Sequence, residues 1–303
     1  MISVLLRGDD KRNPVILVLP AGPGFPGIAD ARMLENSLKL EGEFTVATID
    51  PRGAGKSYTP GLSSELMTLR QLVGDVKQVI EAVLPKVRQT KVHLLGFSIG
   101  GTIALLAAEK FPAQIASVTA VGPDITMPEA EAHALAFTME QARKKNKNSA
   151  LRQLVHIGPP PHVTVKAFQT RVRWVTEFGG IELHRNFRAL VSRSLRGILF
   201  CPEYSLTDKI HALQGISFSQ RHLLPRIADL HLLKSPGCFT MPMAIFQGEH
   251  DAAANPATAQ KYFAMSTSSV SKSLVLFSKS AHNPHYDEPE KFRAALIAAI
   301  KGV

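Results

Sequence analysis

Cysteine is scarce in this 303-residue chain, occurring only as Cys201 and Cys238. Two thiols far apart make neither a metal-ligand spacing nor a disulfide framework, so a reducing, cytoplasmic setting is the expectation. Long apolar runs are missing too. No stretch approaches the ~18–20 unbroken residues needed to span a bilayer, and no membrane partner is expected. The opening Met1-Ile2-Ser3-Val4-Leu5-Leu6-Arg7-Gly8 lacks a charged leader region and is too short for a signal core; it alternates like a strand. Acidic residues are thin in the middle of the chain. Between Thr126 and Gly237, 16 Lys and Arg stand against 8 Asp and Glu, so this region carries +8 of the formal +10. The cations are scattered with few aromatics among them, which argues against nucleic acid. They read as a solvated face, with a weaker reading in which some draw anionic substrates toward a site.

What is present is ordinary globular composition, 45% hydrophobic and 20% charged, enough for one large α/β core with an insertion. Short β-branched runs at 15–19, 44–49, 92–95 and 115–121 are bounded by Gly, Pro or Asp, as in strands buried on both faces. Amphipathic segments near 30–40, 68–84 and 99–110 alternate with them. In the second, Leu69, Leu72, Val73, Val76, Val79, Ile80 and Val83 keep to one helical face. This alternation predicts a doubly wound, mostly parallel α/β sheet. It stops near Asp124 and resumes with strands at 243–247 and 273–277 and a last helix from about 287. The predicted organisation is a core in two parts, 1–125 and 239–303, with a helical cap at 126–238. No internal repeat is visible.

Within the core, Gly96-Phe97-Ser98-Ile99-Gly100-Gly101 follows an apolar strand and opens an apolar helix. The spacing Gly96-x-Ser98-x-Gly100 is that of a nucleophile elbow. A turn this sharp forces the serine backbone into crowded φ/ψ space, and neighbours without a Cβ let strand and helix close on it. The spacing alone is common by chance, so its partners must decide. An elbow serine needs a base and an orienting acid, in the chain order Ser, acid, His. Asp251, in Gln247-Gly248-Glu249-His250-Asp251, follows one predicted strand; His282, in Ser280-Ala281-His282-Asn283-Pro284-His285, follows the next. Open α/β sheets place functional loops at such carboxyl ends. His285, then His250, compete with His282, and Glu249 competes with Asp251. The glycine-rich loop Pro20-Ala21-Gly22-Pro23-Gly24 after the early strand is a candidate oxyanion loop, with Gly22 and Ile99 offering backbone N–H groups. Gly53-Ala54-Gly55-Lys56-Ser57 ends like a phosphate-binding loop. The position of its first glycine holds Asp50, however, and Pro51 removes a cradle N–H.

Together, these segments resemble the α/β-hydrolase superfamily, and within it the proline iminopeptidase-like branch, over nearly the whole length. Pro20-Ala21-Gly22-Pro23-Gly24 corresponds to that branch's His-Gly-Gly-Pro-Gly, and Asp50-Pro51-Arg52-Gly53-Ala54-Gly55-Lys56-Ser57 to its Asp-Gln-Arg-Gly-x-Gly-x-Ser. The closing stretch Ser280–Phe292 corresponds to the segment holding its catalytic histidine. The resemblance implies a serine hydrolase with no cofactor and no metal. Its nucleophile would be Ser98, its base His282 and its orienting acid Asp251, with Gly22 and Ile99 forming the oxyanion hole. The expected substrate is a small ester, amide, lactone or short peptide, anionic ones included. Pro20 and Ala21 in place of His-Gly, and Ile99 where aminopeptidase members often carry tryptophan, are departures. So is the absence of an obvious acidic pair in the basic cap to hold a free ammonium, which counts against aminopeptidase activity. A carbon–carbon bond hydrolase and a silent ligand-binding protein are the alternatives, while an epoxide hydrolase is disfavoured by Ser98.

Overall fold

The computed structural model describes residues 1–302. Its centre is a seven-stranded sheet in the order β1-β3-β2-β4-β5-β7-β9, built from β1 (Ser3–Arg7), β2 (Val15–Leu19), β3 (Thr45–Asp50), β4 (Val92–Phe97), β5 (Ile115–Val121), β7 (Met243–Gly248) and β9 (Lys272–Phe277). All neighbours are parallel except β1, which runs antiparallel along β3 from Ser3↔Asp50 to Arg7↔Val46. Two-residue strands β6 (Cys238–Phe239) and β8 (Thr267–Ser268) form a separate pair.

The period of two decides which layer each side chain enters. Val15, Leu17 and Leu19 of β2 pack with α2 (Leu69–Val83), α3 (Ile99–Lys110) and α9 (Pro256–Met265). Ile16 and Val18 face the other layer, with Leu34 and Leu38 of α1 (Gly27–Leu38) and Phe292 and Leu296 of α11 (Pro289–Lys301). Every residue of β2, β3 and β7 is buried, whereas β1, at the edge, is half-buried throughout. This is the doubly wound, mostly parallel arrangement expected. The third strand begins one residue later than expected, and a short α10 (Pro284–Asp287) precedes the last helix, because Pro284 and Pro289 each open a helical segment.

Between β5 and β7 lie α4 (Met127–Lys144), α5 (Asn148–Ile157), α6 (Val165–Glu177), α7 (Phe187–Leu199) and α8 (Leu206–Ile227). They carry a small core of their own around Ala142, Ala150, Leu154 and Trp174. Tethering to the sheet comes partly from the segment that imitates a phosphate loop. Asp50 accepts the Ile28 N–H (2.9 Å), the Lys56 N–H (2.8 Å) and the Tyr204 hydroxyl (2.6 Å). One buried carboxyl thus gathers the β3 end, the start of α1 and the segment before α8. Ser57 donates to the Asp50 carbonyl at 2.6 Å, and Arg52 forms a two-pronged ion pair with Asp75 at 2.8 and 2.5 Å. These residues serve the fold, with their hydrogen-bonding capacity spent on one another.

Candidate active site

Ser98 sits between β4 and α3 with φ 54° and ψ −125°, outside the basins that L-residues favour. The strain is imposed by the packing around it. A Cβ on Gly96 would meet the Gly100 carbonyl at 2.2 Å, and one on Gly100 would meet the Leu19 and Pro20 carbonyls at 2.4 Å. Only glycine allows α3 to close this tightly on β4 and β2. The turn is pinned by the Ser98 N–H donating to Val121 O (2.8 Å) and by Ser98 O accepting from Gly101 (2.8 Å) and Thr102 (3.2 Å). The first amides of α3, from Ile99 onward, have no acceptor within the helix and are available at its N-terminus. Gly22 lies against Ile99, since a Cβ on it would stand 3.3 Å from Ile99 Cγ2. The two expected oxyanion donors therefore belong to adjoining residues. A small apolar cavity lies beneath them, lined by Leu19, Ile49, Met67, Ile103 and Leu223.

Asp251 and His282 are joined directly, His282 Nδ1 to Asp251 Oδ2 at 2.8 Å, and both are buried. The carboxylate is fully engaged. Its Oδ1 accepts from Ala253 N (2.8 Å) and Ala254 N (2.9 Å), and its Oδ2 also accepts from Gln247 Nε2 (2.9 Å). These bonds fix its orientation. Burial works against the His282 imidazolium, but the charge and hydrogen bond of Asp251, with help from Asp124, raise its pKa above the ordinary 6.5. Gly122 makes the pair possible. At φ 50° it passes so close that a Cβ would stand 3.0 Å from His282 Nδ1 and 3.2 Å from Asp251 Oδ2. His285, the sequence competitor, is buried elsewhere, tilted on Phe97 at a 4.4 Å ring separation. Burial, then the charges of Arg193 and His282, push its pKa well below 6.5 and keep it neutral. His250 bonds the Ser278 carbonyl (3.1 Å), and Glu249 is exposed.

One residue at the site has no counterpart in the sequence reading. Ser98 Oγ makes no hydrogen bond to His282 among the described residues; it donates to Asp124 Oδ2 across a long 3.4 Å. Asp124 follows β5, and Thr102 Oγ1 holds its carbonyl at 2.8 Å. Asp124 as a residue is half-buried. Burial, reinforced by the charge of Asp251, pushes its pKa up to about 6, against the pull of His282, Arg171 and the Ser98 bond. The available signal was its place at a strand's carboxyl end, the criterion that selected Asp251 and His282. The buried glutamates of the helical segment differ from it, because each is matched by arginine. Glu131 pairs with Arg171 (2.5 Å) and Glu182 with Arg193.

The sequence profile described as the alpha/beta hydrolase fold matches residues 14–289. The chain belongs to the α/β-hydrolase fold family. A curated relative, "Probable aminopeptidase YbaC" of Bacillus subtilis, is 29% identical over 297 residues, covering 97% of this chain and 91% of the relative. Among solved structures, this hydrolase-fold chain is similar to a proline iminopeptidase-related protein of Thermus thermophilus (TM-score 0.67, 19% identity, 99% and 93% of the two chains). It is also similar to the proline iminopeptidase of Mycobacterium smegmatis (0.65, 18%, 99% and 94%) and to an enol-lactonase of Burkholderia xenovorans (0.58, 18%, 99% and 96%). Enzymes of differing activity thus share this fold, and the fold by itself names no substrate. Among the described residues no helix is long and apolar enough to cross a membrane, and no cluster of side chains is arranged to hold a metal ion.

Proposed function

We propose that this chain is a serine hydrolase of the proline iminopeptidase-like branch, cleaving a small ester, amide or lactone through an acyl-serine intermediate. The observation that carries the proposal is the strained Ser98, raised over the N-terminal amides of α3, beside a buried Asp251–His282 pair on neighbouring strand ends. In the reaction, Ser98 Oγ attacks the carbonyl carbon while His282 Nε2 takes its proton. The tetrahedral oxyanion is held by the N–H groups of Gly22 and Ile99. Collapse breaks the bond to the leaving group, which leaves with the proton from His282. Water then repeats the sequence on the acyl-serine and restores the free serine. Asp251 fixes the imidazole tautomer and stabilises the imidazolium. The Ser98 hydroxyl must turn from Asp124 to His282 when substrate binds, a tightening expected where the resting geometry is loose. The helical segment 126–238 acts as the cap that selects substrate. The test is labelling with a fluorophosphonate probe: wild type reacts, and Ser98→Ala does not. Labelling independent of Ser98, or none, refutes the proposal.

A second reading, release of an N-terminal residue, is favoured by one feature. Glu131 and Glu182 are spoken for by arginines, but Asp124 is a carboxyl without a contacting cation beside the nucleophile. It offers a charge to an α-ammonium on the acyl side of the scissile bond. The named relative points the same way. Aminoacyl p-nitroanilides turned over faster than their N-acetylated forms would support this reading, and the reverse order would exclude it.

A further inference from the structure

Helix α7 (Phe187–Leu199) packs against α1 and α6, yet of its thirteen residues only Ile198 is buried. Val191, Leu195 and Leu199, spaced by four, are exposed along it. The apolar surface continues around the bend to α8, where Phe200 and Leu206 are each 79% exposed. Ile210 and Leu213 extend it along α8 at helical spacing. Helices in folded proteins owe most of their stability to burying an apolar face, and seven of the twelve large apolar side chains left exposed among the described residues fall between 191 and 213, a clustering that marks interaction surfaces. Something covers this one.

The charges around it identify the chemistry. α7 contains Arg188, Arg193 and Arg196 and no acidic residue. Neighbouring carboxylates are engaged: Glu177 accepts the Phe187 N–H (3.3 Å), Glu203 pairs with Arg32, Asp208 bonds Ser205, and Glu182 serves Arg193. Arg188 and Arg196 therefore present unbalanced positive charge beside exposed leucines. A second copy of this chain on this face would bring in the same arginines again, and α7 offers no carboxylate to meet them. A basic helix with an exposed apolar stripe matches an anionic lipid surface instead, with leucines and Phe200 entering the headgroup boundary and arginines meeting phosphates. We propose that the α7–α8 hairpin docks this protein on anionic membranes. The expectation of no membrane partner rested on the lack of a spanning segment, and a helix that lies in the interface needs none. The docking face also reaches the candidate site. Arg193 holds Glu182, whose Oε1 accepts from Asn283 Nδ2 at 2.9 Å, next to His282.

The test is co-sedimentation of the full chain with phosphatidylcholine vesicles, with and without about one-third phosphatidylserine. Binding at least about ten-fold stronger to the anionic vesicles is expected, falling several-fold between about 0.1 and 0.5 M salt. The double variant Phe200→Glu/Leu206→Glu, at exposed positions where folding is not at stake, should lose binding while its thermal unfolding stays unchanged. Arg188→Glu/Arg196→Glu should lose the preference for anionic lipid. Absence of vesicle binding overturns the proposal, as does equal binding to both vesicles. A dimer that Phe200→Glu dissociates, without vesicle binding, overturns it in favour of a second copy.

Discussion

Asp124→Asn separates the demands of the site from those of the fold. The Asp124 carboxyl titrates near 3.8 in an ordinary setting and is pushed up to about 6 in the folded chain, by burial first and then by Asp251. An acid whose pKa rises on folding is bound more tightly by its proton in the native state. Stability is therefore full below about pH 4 and declines as pH rises toward 6, after which the cost is constant. A shift of this size corresponds to a burden of about 3 kcal/mol at pH 8. The asparagine variant carries no such burden, since its amide is near-isosteric and uncharged. It should unfold about 5 °C above wild type at pH 8, with the gap nearly closed at pH 4. Calorimetry or denaturant unfolding at both pH values checks this. A gap independent of pH, or a variant less stable than wild type at pH 8, would refute the assignment of Asp124 as a buried, poorly compensated acid. A buried ionisable group retained at a stability cost belongs to function more than to folding. The same variant should therefore lose kcat/KM while gaining in Tm.

Further outcomes follow from the same geometry. His282→Ala should lower kcat by several orders of magnitude, because base and nucleophile act as one unit. His285→Ala should instead cost about 2–4 kcal/mol of stability through lost aromatic packing, measured by urea unfolding, with kcat nearly intact. In the proposed reaction His282 must be neutral to act as base, and its pKa is raised. The acid limb of kcat/KM should therefore lie above pH 6.5, and a limb near pH 5 would contradict the Asp251 coupling. Arg52→Ala strands the Asp75 carboxylate in a largely buried pair and should cost about 3–5 kcal/mol, whereas replacing both partners by apolar residues should recover much of that loss.

Much of this was legible in the amino-acid sequence because it is local. The β-branched run of β2 needs burial on both faces, the apolar stripe of α2 needs one neighbour, and Gly96 and Gly100 mark a backbone that tolerates no Cβ. Ser98, Asp251 and His282 were selected by chain order at strand ends, a rule that holds when the sheet is parallel and wound in both directions. The choice of His282 over His285 rested on its position just beyond the strand; the structure sets His282 against Asp251 and His285 against Phe97. Asp124 and the arginine pairing of Glu131 and Glu182 were hidden for a different reason. Their meaning depends on which cation, if any, stands within a few ångströms, and those partners lie 11 residues away for Glu182 and 40 for Glu131, off any local spacing. Periodicity, turn chemistry and close glycine packing are written into neighbouring residues, so the sequence by itself determined the sheet, the elbow and the order of the chemical groups. Charge compensation is a property of distance in space, and only the tertiary structure decided which acid stands beside the serine without a paired cation and which helix face is left exposed.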